Sequence, residues 1–219
     1  MDVIAYSDTL STKVYRQIKV AILSCVLRPG QMINESELIQ QYGVSKTPIR
    51  EALKLLTQER LVQSIPGMCY VVTPITVKDV GEIWEMRAIL EEATAMRAAS
   101  LATPAQLDDL EARVGDVFPV QTIEDLMRWY DQNTKFHLAI ANISKNTRLV
   151  GALRSVLEEV NRFLLLDPEI PSDTAAWISQ HQRIIAALRE RDGVRATAVT
   201  LEYMSTSSPR IQQLVYPTN

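Results

Sequence analysis

The chain has 219 residues, room for one large domain or two small ones, and its 47% hydrophobic and 22% charged residues are ordinary for a folded protein, which excludes disorder. No apolar run reaches the roughly 18 residues a bilayer span needs, and the opening MDVIAYSDTL lacks the basic-then-apolar order of a secretion signal, so a cytoplasmic protein without membrane partners is expected. The net charge of −3 hides a split: residues 1–76 hold eight Lys and Arg against six Asp and Glu, residues 77–219 fifteen against twenty, so the first third is the basic part.

In chain order, Ser11 to Leu27 places Val14, Ile18, Ile22 and Val26 at fourfold spacing, which predicts an amphipathic helix that Arg28-Pro29-Gly30 stops. Asn34 is a good N-cap for a short helix over 35–42, with Glu37 three residues on to complete a capping box, and Gly43 supplies a turn. Ser45 then caps a third helix whose buried face is expected at Ile49, Ala52, Leu53, Leu56 and Leu61, with Pro48 in the first turn. Residues 61–65 and 70–73 read as two strands around Pro66-Gly67-Met68-Cys69. Helix, helix, turn, helix, hairpin is the order of a winged helix-turn-helix.

After Pro74 the pattern is helical throughout, which sets a domain boundary near 75–78 and domains at 1–76 and 77–219. Val80, Ile83, Trp84, Leu90, Ala93 and Met96 are expected to stripe one long helix, and Thr103-Pro104 with Gln106 to cap the next. Further helices are predicted over 123–142, 147–165, 173–191 and 195–214, with Asp192-Gly193 ending the last but one. The fold class is therefore mainly α: a winged helix-turn-helix of three helices plus a β-hairpin, then an all-α bundle. Cys25 and Cys69 lack metal-ligand spacing and are expected as thiols.

The sharpest chemical signal is SKTPIREAL at 45–53, the front of the third helix. A helix N-terminus offers free N–H groups to phosphate; Ser45, Lys46 and Thr47 add donors, and Arg50 lies one turn on, able to reach a guanine edge. Spacing alone leaves open that Lys46 and Arg50 are solvated charges and Ser45 only a cap.

The run from 28 to 62, RPGQMINESELIQQYGVSKTPIREALKLLTQERLV, resembles the DNA-binding domain of the GntR family of bacterial repressors and activators. The resemblance implies that Ser45, Lys46, Thr47 and Arg50 contact operator DNA and that Gly67 lies in a wing approaching the minor groove. Ile65, Met68 and Cys69 stand where such wings commonly carry Arg and Gly, so less affinity is expected from this hairpin. The remainder, best in WEMRAILEEATAMRAA (84–99) and NTKFHLAIANISKN (133–146), resembles the FadR-like (FCD domain) subfamily. That resemblance implies a helical-bundle effector domain binding a small organic acid through Arg87, Asn133, His137, His181 and Tyr203. Many members hold a divalent metal (zinc, nickel or manganese) with an Asp and three His; here His137 and His181 match two of the histidines, while Asn133 and Tyr203 replace the other two ligands. No cofactor is therefore assigned, and hydrogen-bonded core roles for both histidines stand beside the metal. For Arg87 the alternatives are a carboxylate ligand and an ion pair with Glu91 one turn along.

The function expected is sequence-specific, effector-modulated binding of a double-stranded DNA operator by a homodimer, with no enzymatic activity. One alternative is a metal-dependent hydrolase-like bundle, for which the sequence carries no nucleophile motif and no Gly-rich phosphate loop. The other is a protein-interaction scaffold with a degenerate DNA-binding domain, which only the weakly basic wing favours.

Overall fold

A computed structural model of the chain describes residues 9–114, 120, 122–164, 174–202 and 211. The chain divides into two compact units, Met1–Ile75 and Thr76–Asn219.

The first unit runs α1 (Leu10–Leu23), β1 (Met32–Ile33), α2 (Glu35–Tyr42), α3 (Lys46–Gln58), β2 (Val62–Ile65) and β3 (Cys69–Val72). Val14, Ile18 and Ile22 of α1 close against Ile49, Ala52, Leu53 and Leu56 of α3, with Leu38, Val62 and Val72 completing the core. The first helix stops four residues short of the expected Leu27. Cys25 turns left-handed at φ 54°, and the chain folds back so that the Leu27 N–H donates to the Ala21 carbonyl at 2.9 Å. The apolar spacing ran past the real end because Val26, which continues it, is 67% exposed. At α2 the Asn34 side chain caps by accepting from the Ser36 N–H, but Glu37 meets the Asn34 side-chain amide at 3.0 Å and not its backbone N–H, so the expected capping box does not form. Gly43 provides the left-handed turn at φ 63°. Leu61 is buried but lies beyond α3; Arg60 reverses the chain at φ 59° and delivers Leu61 to the core from the loop.

The sheet has order β1-β3-β2, all antiparallel, with Met32 opposite Val71 and Ile65 opposite Cys69. β1 was not expected, since two residues are too few to show alternation. At the hairpin tip the Met68 N–H donates to the Ile65 carbonyl at 3.1 Å across Pro66 and Gly67, and Gly67 holds φ +73°. Proline second and a positive-φ glycine third make a type II turn, which a side chain at 67 would strain. Neither Cys25 nor Cys69 is in a disulfide.

The second unit comprises α4 (Val77–Leu101), α5 (Pro104–Ala112), α6 (Ile123–Ile143), α7 (Thr147–Leu164), α8 (Thr174–Arg189) and a helical segment over 193–202. Capping boxes at Thr76/Asp79, Thr103/Gln106 and Thr122/Asp125 start α4, α5 and α6. The end of α8 differs from expectation: Arg191 reverses the chain at φ 63°, the Asp192 carboxylate caps the next helix by accepting the Arg195 N–H at 2.8 Å, and Gly193 belongs to that next helix. There a Cβ would stand 2.8 Å from Met96 Sδ and 3.0 Å from Met96 Cα, so glycine is needed for close approach to α4. The predicted end of that helix, Leu214, lies outside the described residues. No described helix is long and apolar enough to cross a membrane.

The buried stripe of α4 is Val80, Trp84, Arg87, Glu91, Thr94, Ala95 and Ala98. Met96, expected on that stripe, is 44% exposed. The apolar pattern misled because Arg87, Glu91 and Thr94 take core positions at three- and four-residue spacing, and this is what creates a polar centre inside the bundle.

Candidate functional site

The first site is the N-terminal turn of α3. Ser45 takes the cap position with extended backbone but makes no side-chain cap hydrogen bond, which leaves its hydroxyl and the first-turn N–H groups for an outside partner. Pro48 and Ile49 are buried and fix the helix by its other face. Lys46 and Arg50 project outward with side chains 58% exposed. Both meet Glu35, the first residue of α2. Its two carboxylate oxygens lie 3.3 and 3.1 Å from Arg50 Nε, and one lies 3.6 Å from Lys46 Nζ. The sequence offered no route to this contact, since Glu35 and Arg50 are fifteen positions apart across the turn.

The second site is the polar centre of the bundle. Arg87 and Glu91 are one turn apart on α4 and 3% and 2% exposed, with Arg87 Nε donating to the Glu91 carboxylate at 3.2 Å. From α6, His137 Nδ1 stands 3.1 Å from each Glu91 oxygen. Burial alone would raise the Glu91 carboxyl, but the facing His137 and the Arg87 guanidinium overcome it and hold the group at about 2. Asn133, one turn before His137, accepts from His181 Nε2 of α8 at 3.1 Å. Phe136 stacks on the His181 ring at 3.9 Å, and burial together with nearby His137 keeps the His181 imidazole well below its usual range, hence neutral. The two histidine rings are 5.5 Å apart. Arg87, His137, Asn133 and His181 are thus brought together, as two hydrogen-bonded sets. Tyr203 lies outside the described residues. Arg87 makes the ion pair with Glu91, yet among the described residues its Nη1 is buried with no hydrogen-bond partner, as is Trp84 Nε1 on the same helix, whose ring lies 5.4 Å from the Arg87 Cζ. A cavity of about 10 Å³ beside Asn133 and His181, walled by Trp129 and Trp177, holds no more than one water.

A divalent metal does not fit these residues. Asn133 offers only a neutral amide oxygen, a poor ligand for a transition metal beside the carboxylate usual there, and that oxygen lies at hydrogen-bond distance, 3.1 Å, from His181 Nε2. Glu91, the nearby carboxylate, is already shared by Arg87 and His137. Among the described residues no three His, Cys, Asp or Glu stand together as a metal site needs.

Phe136, Trp84 and Trp129 are buried, whereas Met86 is 48% exposed. The contact of Glu91 with a histidine 46 positions away was not legible in sequence; only its pairing with Arg87 was.

Comparison with known proteins matches residues 10–72 to the bacterial regulatory proteins of the gntR family and residues 82–206 to the FCD domain. The chain is 24% identical to the HTH-type transcriptional repressor RspR of Escherichia coli K12, over 95% of this chain and 91% of that protein. It is 30% identical to an uncharacterized HTH-type transcriptional regulator of Streptomyces ambofaciens, over 82% and 75%. The solved structure of Escherichia coli McbR/YncC shares the fold with a TM-score of 0.71 at 23% identity, covering 94% of this chain and 98% of that one.

Proposed function

The chain belongs to the gntR family of bacterial regulatory proteins and carries an FCD domain, which makes it a DNA-binding transcriptional regulator rather than an enzyme, and from that we propose how its own residues do the work. The N-terminal turn of α3 enters the major groove. Ser45 and Thr47 hydroxyls, first-turn N–H groups and Lys46 hold phosphate, Arg50 reads a base edge, and Gly67 lets the hairpin tip approach the backbone closely. The observation that carries this reading is the uncapped, outward-facing start of α3, with Lys46 and Arg50 both 58% exposed while the opposite face is locked in the core.

One reading helix covers too few base pairs to select a gene, so the protein acts in the cytoplasm as a two-fold dimer on an inverted-repeat operator. The polar centre of the bundle is the effector-responsive element, built without a metal. Two buried donors with no partner among the described residues, Arg87 Nη1 and Trp84 Nε1, leave hydrogen-bonding capacity that a small carboxylate would satisfy. With about 10 Å³ beside Asn133 and His181, an organic acid needs helices to move, and that movement would couple binding to DNA affinity. A thermal-shift screen against small carboxylic acids tests this. A hit that raises the melting temperature of the wild type but not of Arg87→Lys supports the reading, and hits indifferent to that substitution contradict it.

A further inference from the structure

We infer that Glu35 is a positioning residue for sequence reading: it holds Arg50 by its Nε so that the two Nη groups face the base edge. The inference rests on the DNA-reading function proposed above and adds a residue outside the reading helix.

Glu35 opens α2, where the helix N-terminus favours a carboxylate, and it is the more buried partner, its side chain 21% exposed against 58% for Arg50. Both of its oxygens converge on Arg50 Nε, at 3.1 and 3.3 Å. A guanidinium has five N–H donors in a planar fork. With Nε engaged from the protein side, the remaining Nη1 and Nη2 edge is the one that matches the paired O6 and N7 acceptors of guanine. An untethered arginine as exposed as this one would sample many rotamers and lose that freedom on contact with a base, whereas the held side chain has already lost it. The tether therefore favours the sequence that presents two acceptors in register and does nothing for phosphate binding elsewhere.

The carboxylate has a second effect that must be separated from the first. Sitting 3.6 Å from Lys46 Nζ, it offsets positive charge on the surface that meets phosphate and so weakens binding to any DNA. Two substitutions part the effects. Glu35→Asp keeps the charge but withdraws the carboxylate by one methylene from Arg50; Glu35→Gln keeps the length and removes the charge. Asn34, which caps α2, is untouched by either.

The experiment selects a duplex from a random-sequence pool with the full-length wild-type chain, then measures binding to that duplex and to a shuffled one. In Glu35→Asp the preference for the selected duplex falls about tenfold while affinity for shuffled DNA is unchanged. In Glu35→Gln the preference falls similarly and affinity for shuffled DNA rises. In a background of Arg50→Ala, Glu35→Asp causes no further loss, because there is nothing left to hold. A preference unchanged in Glu35→Asp, or a further loss of equal size on top of Arg50→Ala, overturns the role of Glu35 and leaves DNA reading by α3 intact. A wild-type chain that selects no sequence overturns both.

Discussion

Glu91 of α4 and His137 of α6 face each other inside the bundle at 3.1 Å, both under 4% exposed, and Arg87 closes on the same carboxylate. The bundle is thus built around a buried anion that three helical positions depend on. Removing one member of such a set leaves an uncompensated charge, which costs more than the set contributes. Glu91→Gln should lower unfolding free energy by about 3 to 5 kcal/mol in urea titration. Arg87→Met with Glu91→Leu should lose less than the two single changes added together. A Glu91→Gln protein within about 1 kcal/mol of wild type would mean that the charges are solvated in solution.

The same centre sets a pH dependence. The Glu91 carboxyl titrates at about 2 when folded and near 4.5 when unfolded, so its stabilisation is full above about 4.5 and is lost as pH falls toward 2. That shift corresponds to about 3 kcal/mol. His181 is held neutral below its ordinary 6.5, so the unfolded chain takes up that proton first and stability already declines as pH drops below about 6.5. Urea midpoints should be level above about pH 7 and fall in two stages below it. His181→Gln should remove the upper stage and keep the lower one. A midpoint that rises on acidification would contradict both assignments.

Three helical glycines should part company. At Gly193 an added Cβ meets Met96 Sδ at 2.8 Å and Met96 Cα at 3.0 Å, and the second of these is backbone that cannot swing aside. Gly193→Ala should destabilise by about 1 to 3 kcal/mol. Gly81 in α4 and Gly151 in α7 have nothing within 4 Å, so alanine there should stabilise by about 0.5 to 1 kcal/mol through helix propensity. Thermal melts of the three single variants decide the matter; a Gly193→Ala chain as stable as wild type would show that the helix over 193–202 does not pack so closely on α4.

The polar centre should hold no resident divalent ion. Protein purified without a histidine tag should carry well under one equivalent of zinc, nickel or manganese by elemental analysis. Near one equivalent, lost in His137→Ala, would show that Asn133 gives up its bond to His181 in favour of a cation.

How far the sequence led depends on where the information lay. Local signals were legible: Asn34, Gly43 and Ser45 marked caps and a turn, and Thr103 with Gln106 marked a capping box, because each needs only a few neighbouring residues. The end of α1 was missed because Val26 prolongs an apolar period into a loop where nothing buries it. The buried face of α4 was legible only in part: Val80 and Trp84 lie on it as expected, but Arg87 and Glu91 occupy core positions that a hydrophobic pattern leaves blank. The grouping of Arg87, Asn133, His137 and His181 was anticipated through family resemblance, but the division into two hydrogen-bonded sets was not. That depends on which partner each ring nitrogen finds across helices α4, α6 and α8.

The central claim is that α3 reads operator sequence through Arg50, and a binding titration with Arg50→Ala and Lys46→Ala on selected and shuffled duplexes at several salt concentrations tests it most directly. Arg50→Ala should weaken binding to the selected duplex by about 1 to 3 kcal/mol with little change on shuffled DNA, while Lys46→Ala should weaken both and flatten the salt dependence by about one phosphate contact. Equal losses on both duplexes in Arg50→Ala would mean that this side chain touches only phosphate, and the account of sequence reading would be wrong.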